Sequence, residues 1–296
     1  MSEVSFIVPS YNSFLTIEKT ISSILRQKSF DRVREVIVLD SSTDDRTRKV
    51  LEDFGHPKLR LIALDQKTSP AFSRNTAAKA ASGELLCFID SDVFIAEDWL
   101  DHILGAYQDG CLAGCGSVSV PDFQNDKKIA LAQLYLQFNE SLAVGERRPV
   151  KMVPACDMFV ERALFEKAGG FPELRAAEDV MLCLRLGELT QVWFVPQAKC
   201  FHIFRENFRS YFNNQIVLGK YIIIYRRKAY GRWYYRGLWP LVLLPTFLLI
   251  KTIRIKIRVF KSGPEHRRKY LVSSPLFALG LMYWAIGFIQ GCFSRE

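Results

Sequence analysis

Two aspartates one residue apart, Asp90 and Asp92 with Ser91 between them, directly follow the apolar run Leu85–Ile89. Carboxylates are hard oxygen ligands, and at this spacing two of them can hold a divalent cation against a diphosphate. Taken alone, the tripeptide reads equally well as a solvated loop after a strand. A second acidic pair, Glu178-Asp179, opens an apolar helical stretch. By themselves such residues complement the helix dipole and nothing more. The third candidate is His202 in AKCFHIFR, just after the strand-like QVWFVP and a turn. A lone imidazole there ordinarily satisfies a backbone partner.

The elements that would position these groups follow from local pattern. Ser69 is suited to cap a helix, Pro70 to its first position, and the alanines through Ala81 to its body, with Gly83 expected as a left-handed stop. Leu85–Ile89 is too short for a helix and is expected to be a buried parallel strand. It delivers Asp90 and Asp92 to its carboxyl end, where open α/β sheets bind ligands. Upstream, strands are expected at 5–8, 36–39 and 59–64, with a helix at 16–27 carrying Ile17, Ile21, Ile24 and Leu25. Polar turns follow the first two strands: Pro9-Ser10-Tyr11-Asn12, then Asp40 to Asp45. Alternating strands and helices predict a parallel sheet covered by helices. The first strand-helix turn has no GxGxxG, and no Walker lysine motif is present, which disfavours dinucleotide and P-loop chemistry.

Beyond the acidic loop, 99–107 reads as a helix, 112–120 as a strand and 129–142 as a helix. In the last of these Gln133, Gln137 and Asn139 either face an acceptor or punctuate a core helix. Residues 154–173 read as a polar turn, a helix and a Gly-Gly-Phe stop.

Together, SRNTAAKAASGELLCFIDSD closely resembles the segment of family 2 glycosyltransferases in which an Arg-Asn helix precedes the metal-binding DxD motif. The opening SFIVPSYNS, the later EVIVLDSSTDD, and the GGF turn followed by Glu-Asp match further motifs of that family, in the same order. The resemblance implies a GT-A-type α/β fold with a mainly parallel sheet. It assigns nucleotide-sugar binding to Pro9, Tyr11, Asp40, Arg74, Asp90 and Asp92, with Arg74 near the diphosphate. Asp44 is a looser match and is equally a helix cap. Asp179 takes the role of catalytic base and Glu178 a supporting one. In many members a histidine at the distance of His202 completes the metal site, so Asp92 and His202 are expected to hold Mn²⁺ or Mg²⁺. The implied reaction is inverting transfer of a sugar, a UDP-sugar by family default, to a membrane lipid or lipid-linked glycan.

The chain has 296 residues, is 49% hydrophobic and carries a net charge of +9. That charge is uneven: Arg205 to Lys269 holds sixteen Lys and Arg against two acids, a local +14, so the remainder carries −5. Aromatic and aliphatic neighbours make an acidic membrane surface the expected partner of this block, and not nucleic acid. Residues 208–236 mix aromatic and basic side chains, as in segments lying against headgroups. The uncharged run 237–250 is short for a span and contains Pro240 and Pro245; 271–293 is uncharged throughout and about 34 Å long as a helix, enough to cross. The basic stretch between them belongs on the cytoplasmic side by the positive-inside rule. With the catalytic part also there, 237–250 is expected to re-enter or to lie in the interface. The contrasting possibility is that both runs are buried helices of a soluble domain.

Seven cysteines without a CxxC pair are expected to be reduced buried thiols of a cytosolic protein. The opening residues lack the features of a signal peptide. The expected organisation is a GT-A domain over 1–210 and a membrane-associating region over 211–296, at the cell membrane with the catalytic domain on the cytoplasmic side. Two other readings compete. A processive polysaccharide synthase would carry a QxxRW motif, whereas Gln215 is followed by IVLGK. A silent nucleotide-sugar or membrane-binding protein would have no need of Asp179.

Overall fold

The computed structural model describes residues 3–174 and 176–294. It divides into two compact units, Met1–Ser119 with Ala143–His202, and Val120–Leu142 with Ile203–Glu296.

The first unit is built on a nine-stranded sheet, β1 Val4–Ser10, β2 Val33–Asp40, β3 Leu59–Ala63, β4 Leu85–Ile89, β5 Val93–Ile95, β6 Ala113–Ser119, β7 Arg148–Val150, β8 Asp157–Glu161 and β9 Val192–His202. The path runs β3-β2-β1-β4-β8-β6-β9-β5, with β7 on β9. The expected parallel arrangement holds from β3 to β4. Beyond β4 it becomes mixed, because β8 runs antiparallel to both β4 and β6. The helices are α1 Ile17–Leu25, α2 Arg46–Asp53, α3 Pro70–Ala80, α4 Trp99–Gln108, α6 Arg162–Lys167 and α7 Glu178–Leu189. In α1 the buried residues Ile17, Ile21 and Ile24 recur at i, i+4 and i+7, the spacing of a single apolar face. Under α3, α6 and α7, Phe88, Phe165 and Phe171 form a ring cluster with centroids 5.2 to 5.6 Å apart. That cluster joins the site strand β4 to the Gly-Gly-Phe turn.

Several local expectations are corrected. Gly83 is not a left-handed stop: α3 ends in the extended residue Ala81, and Gly83 is absent from the positive-φ glycines. Its reason is steric, since a Cβ there would lie 2.6 Å from the Ser5 amide nitrogen. The 154–173 stretch contains the strand β8 before its helix, hidden because DMFVE runs directly into RALFEK. No turn separates QVWFVP from His202; β9 runs through, absorbing a register shift against β6. Gly169 and Gly170 do take left-handed φ, of 77° and 65°. All seven cysteines are free and six are buried.

The second unit contains α5 Lys128–Gln137, α8 Phe208–Tyr230, the single turn α9 Trp239–Val242, α10 Leu244–Lys261 and α11 Pro264–Cys292. The helix expected over 129–142 therefore ends early. Gln133 is fully buried, its amide donating to Ile129 and Arg205 carbonyls, the core-punctuation role. From Leu244 the rest of the apolar run and the basic residues after it share one helix, α10, because TFLLIKTIRIKIRVFK keeps its periodicity across the change in charge, while the start of the run forms the separate turn α9. Among the described residues α11 is the one helix long and apolar enough to cross a membrane.

Helices α8 and α11 touch backbone to backbone. A Cβ on Gly219 would run into the Trp284 carbonyl, and one on Gly287 into that of Ile216. Small residues permit such approach. Replacing Gly287 by Ala is therefore expected to cost roughly 1–3 kcal/mol, because backbone cannot yield as a side chain can. Gly187→Ala on α7, where a Cβ meets nothing within 4 Å, is expected to gain about 0.5–1 kcal/mol by helix propensity. Denaturant unfolding of the two variants measures both signs.

Candidate active site

Three elements of the first unit bring the acidic candidates together. Helix α3 starts where expected, with Ser69 accepting the Phe72 amide at 3.0 Å. One turn on, it presents Arg74, only 4% exposed. One end of its guanidinium donates to Asp90 Oδ1 at 2.6 Å, beyond β4, and the other to Glu178 Oε1 at 2.9 Å, the first residue of α7. Arg74 thus joins the acidic loop to the second acidic pair. Burial alone would lower its pKa, but Asp90 and Glu178 outweigh that and hold it above the ordinary value.

The neighbouring Asn75 fixes the Gly-Gly-Phe turn. Its amide donates to the Phe171 carbonyl at 2.7 Å and accepts the Phe171 amide at 2.9 Å. A Cβ on Gly170 would crowd the Asn75 side chain, so glycine is required there for space as well as for φ. The Phe171 ring lies 5.3 Å from the Arg74 guanidinium.

Glu178 and Asp179 follow Ala177, which is itself left-handed at φ 69°. Asp179 Oδ1 accepts the Val180 amide at 2.8 Å. Burial raises the Asp179 carboxyl, opposed by the Val180 amide, Arg74 and the Ala155 amide. Glu178 is pushed up to about 7, by burial first and by the adjacent Asp179, against the pull of Arg74. Two neighbouring carboxyls compete for one cation, so their titrations belong to the pair.

Asp92 and His202 meet through sheet register: Val93 on β5 pairs with His202 at the end of β9. His202 Nε2 lies 3.9 Å from Asp92 Oδ1. Ligands of one octahedral cation, each about 2.1 Å from it, stand roughly 3 to 4.2 Å apart, so the pair fits two positions around Mg²⁺ or Mn²⁺. No three His, Cys, Asp or Glu side chains among the described residues cluster for a metal. Remaining ligands would come from phosphate oxygens and water.

The Asp40 region lies at the carboxyl ends of β1 and β2. Asp40 is fully buried and accepts from Ser10 at 2.8 Å and Ser42 at 2.6 Å, with Arg48 at 3.4 Å. Pro9 lies opposite Leu39 in the sheet. Tyr11 is exposed, with the Lys67 ammonium 4.2 Å from its ring centre. Asn12, left-handed at φ 52°, binds the loop after β2 by donating its amide to Ser42 and accepting that of Thr43. Asp44 is occupied with Arg46, whose amide and guanidinium both donate to it, as a helix-start residue would be.

Sequence reasoning left out Asn75 as a named contributor, together with Ser10, Asn12, Ser42, Arg48 and the buried Asp157. Asp157 accepts from the Trp99 indole at 2.9 Å, and burial holds its carboxyl well above the ordinary range. It lies across from Ile89, the last residue of β4. A DMFV run with its acid inside a strand was the available signal.

The fold has counterparts among solved structures. A mannosyltransferase from Pyrobaculum calidifontis, solved with GDP-Man and Mn²⁺, superposes with a TM-score of 0.67 at 21% identity, covering 100% of this chain and 88% of that one. The fold is accordingly the GT-A class of glycosyltransferase. The model of "Glycosyl transferase family 2" matches residues 5–169, and the chain belongs to that family. Among curated relatives, an Escherichia coli UDP-Glc:alpha-D-GlcNAc-diphosphoundecaprenol beta-1,3-glucosyltransferase is 39% identical over 89 residues, 30% of this chain and 34% of that one. A Mycobacterium tuberculosis pre-mycofactocin glycosyltransferase is 25% identical over 228 residues, 73% and 46% of the two chains. The chain thus spans about a third to a half of the length of these relatives.

Proposed function

We propose that this chain transfers a sugar from a nucleotide-sugar, a UDP-sugar in the first instance, to a hydroxyl of a lipid-linked or glycolipid acceptor, with inversion. The observation that carries this reading is the Arg74 bridge, which holds Asp90 and the Glu178-Asp179 pair in one site while Asp92 faces His202. The UDP-Glc in the name of the Escherichia coli relative and the GDP-Man-bound neighbour support a sugar donor activated by a nucleotide.

In this mechanism Asp40, Pro9 and Tyr11 border the base and ribose at the ends of β1 and β2. Asp90 is oriented by Arg74 toward the donor. A cation held from the protein by Asp92 and His202 would neutralise charge building on the departing diphosphate. Asp179 accepts the proton of the attacking hydroxyl as that oxygen bonds to the anomeric carbon. The carbon–oxygen bond to phosphate breaks, its electron pair leaving with the nucleoside diphosphate. One base opposite one leaving group performs a single displacement, with no covalent sugar on the protein. Arg74 fixes Glu178, and through it the start of α7, so Asp179 is positioned without contacting the guanidinium itself.

A base must be ionised to work. Activity is therefore expected to fall as pH falls through the raised titration of the Glu178-Asp179 pair, giving an acid limb above the ordinary carboxylate range. Glu178→Gln removes the like charge and is expected to move that limb to lower pH. A profile of turnover against pH for both proteins checks the sign.

The direct test is release of nucleoside diphosphate from UDP-, GDP- and dTDP-sugars by membranes containing the protein, with total lipid extract and with Mn²⁺ or EDTA. The expected result is metal-dependent release from one donor that needs the lipid. Folded protein that releases nothing from any donor would contradict it.

A further inference from the structure

The second unit carries a surface whose chemistry points to one partner. We infer that α11 lies in the plane of an anionic bilayer leaflet, with one face in lipid, and does not cross the membrane. This inference concerns attachment alone and is independent of the reaction.

The helix is apolar on two faces. One face, through Tyr270, Phe277, Gly280, Trp284, Phe288 and Gly291, is buried against the rest of the unit. The opposite face exposes Leu271, Leu279, Met282, Ile286, Ile289 and Phe293, at spacings of three, four, seven and eight that hold to one side of a helix. Met282 and Phe293 are 62% and 67% exposed. Of the twenty-three exposed large hydrophobic residues described in the chain, fifteen lie from Trp233 onward. Scattered surface apolar residues need no explanation, whereas a stripe along a whole long helix does.

The company α11 keeps rules out a span. α8 runs parallel to it: Tyr211 donates to the Leu276 carbonyl, the Gly219 backbone packs on Trp284, Ile216 on Gly287, and Lys220 on Gly291. If α11 crossed the bilayer, α8 would cross beside it. That would take Asn213, Asn214, Gln215 and Lys220 into hydrocarbon. α10 would add Lys251, whose ammonium is 4.9 Å from the Trp284 ring, near the middle of the apolar run. The far end is held by Arg227, which donates to the Gly291 and Cys292 carbonyls. Ionised and amide groups at membrane depth are strongly unfavourable. With α11 in the plane, these groups lie on its protein side and the stripe alone meets lipid.

Charge selects the lipid. Arg267 and Arg268 are exposed at the start of α11, and Arg254, Lys256 and Lys261 on α10, while Arg205 to Lys269 contains two acids in all. Exposed Trp233 and Trp239 supply residues that favour the headgroup boundary. A helix with an apolar face, flanking cations and aromatic neighbours has the composition of an interfacial anchor for acidic phospholipid.

The test places single thiols on either side of α11, Ser262→Cys and Ser294→Cys, each in the full chain bearing Cys292→Ser. The six remaining native thiols are buried. Sealed membrane vesicles of both orientations from expressing cells are treated with an impermeant maleimide. Labelling of both sites in the same orientation is expected; labelling in opposite orientations would establish a span and overturn the inference. Purified protein is then mixed with phosphatidylcholine vesicles with or without phosphatidylglycerol. Binding is expected to be at least tenfold tighter with the anionic lipid and to weaken by a similar factor in Met282→Lys/Ile286→Lys protein of unchanged helix content. Absence of vesicle binding, or binding indifferent to the double substitution, would equally overturn it.

Discussion

Asp179→Asn is expected to lower turnover about a thousandfold while leaving the affinity for nucleoside diphosphate unchanged. A general base in place contributes roughly 10²- to 10⁴-fold. Its amide replacement keeps the shape and can still accept the Val180 amide that Asp179 accepts at 2.8 Å, so the start of α7 is retained. A residue that only complemented the helix dipole would be worth about 0.3–1 kcal/mol of stability and nothing in turnover. Steady-state kinetics with calorimetric binding of the diphosphate separate the two. A fall in turnover at constant affinity marks an interaction made in the transition state.

Arg74→Met is expected to destabilise the protein by about 3–5 kcal/mol and to abolish activity. The arginine is buried and both ends of its guanidinium are occupied by carboxylates. Removing one member of such an arrangement strands the others, which costs more than the arrangement contributes when intact. Lysine offers a single ammonium that cannot reach both Asp90 and Glu178 with the same geometry, so Arg74→Lys is expected to recover only part. The pH dependence follows from linkage. The buried Glu178 carboxyl is already raised to about 7 in the intact protein, and loss of the cation raises it further. A carboxyl with a folded pKa above its unfolded value binds more protons when folded, so stability falls as pH rises from the unfolded value, near 4.5, through the folded one. The variant's deficit is therefore expected to be small at pH 5 and large at pH 8. Adding Glu178→Gln removes the stranded charge and should restore part of the loss at pH 8. Denaturant midpoints of the four proteins at both pH values measure this, and an Arg74→Met deficit independent of pH would show that packing dominates.

Much of this site was legible because its residues lie where local pattern changes. The Ser69 cap, the five-residue apolar β4 and the acidic loop after it form one uninterrupted stretch, and each boundary has a local cause. What could not be read depends on pairing across the chain. The resemblance implied that Asp92 and His202 meet, but no local pattern did: their meeting rests on β5, three residues long, finding the last residues of β9. Arg74 was placed near a diphosphate by resemblance, and nothing local in SRNTAA indicates that its side chain ends between Asp90, just beyond β4, and Glu178 of α7, which lies more than a hundred residues from Arg74 along the chain. Gly83 shows the same limit: a glycine after a helix ordinarily ends it, and here it makes room for β1. In the second unit, the change from uncharged to basic residues inside α10 conceals a single helix, because charge and period are separate signals.

The central claim is a single displacement, with Asp179 as the one base opposite the leaving diphosphate. The measurement that tests it most directly is the anomeric configuration of the new linkage, read from proton coupling in the product made from an α-linked nucleotide-sugar. The account predicts a β linkage from wild-type protein and the same linkage in the residual product of Asp179→Asn. An α product would require two displacements or a different reacting face, and would contradict the assignment of Asp179.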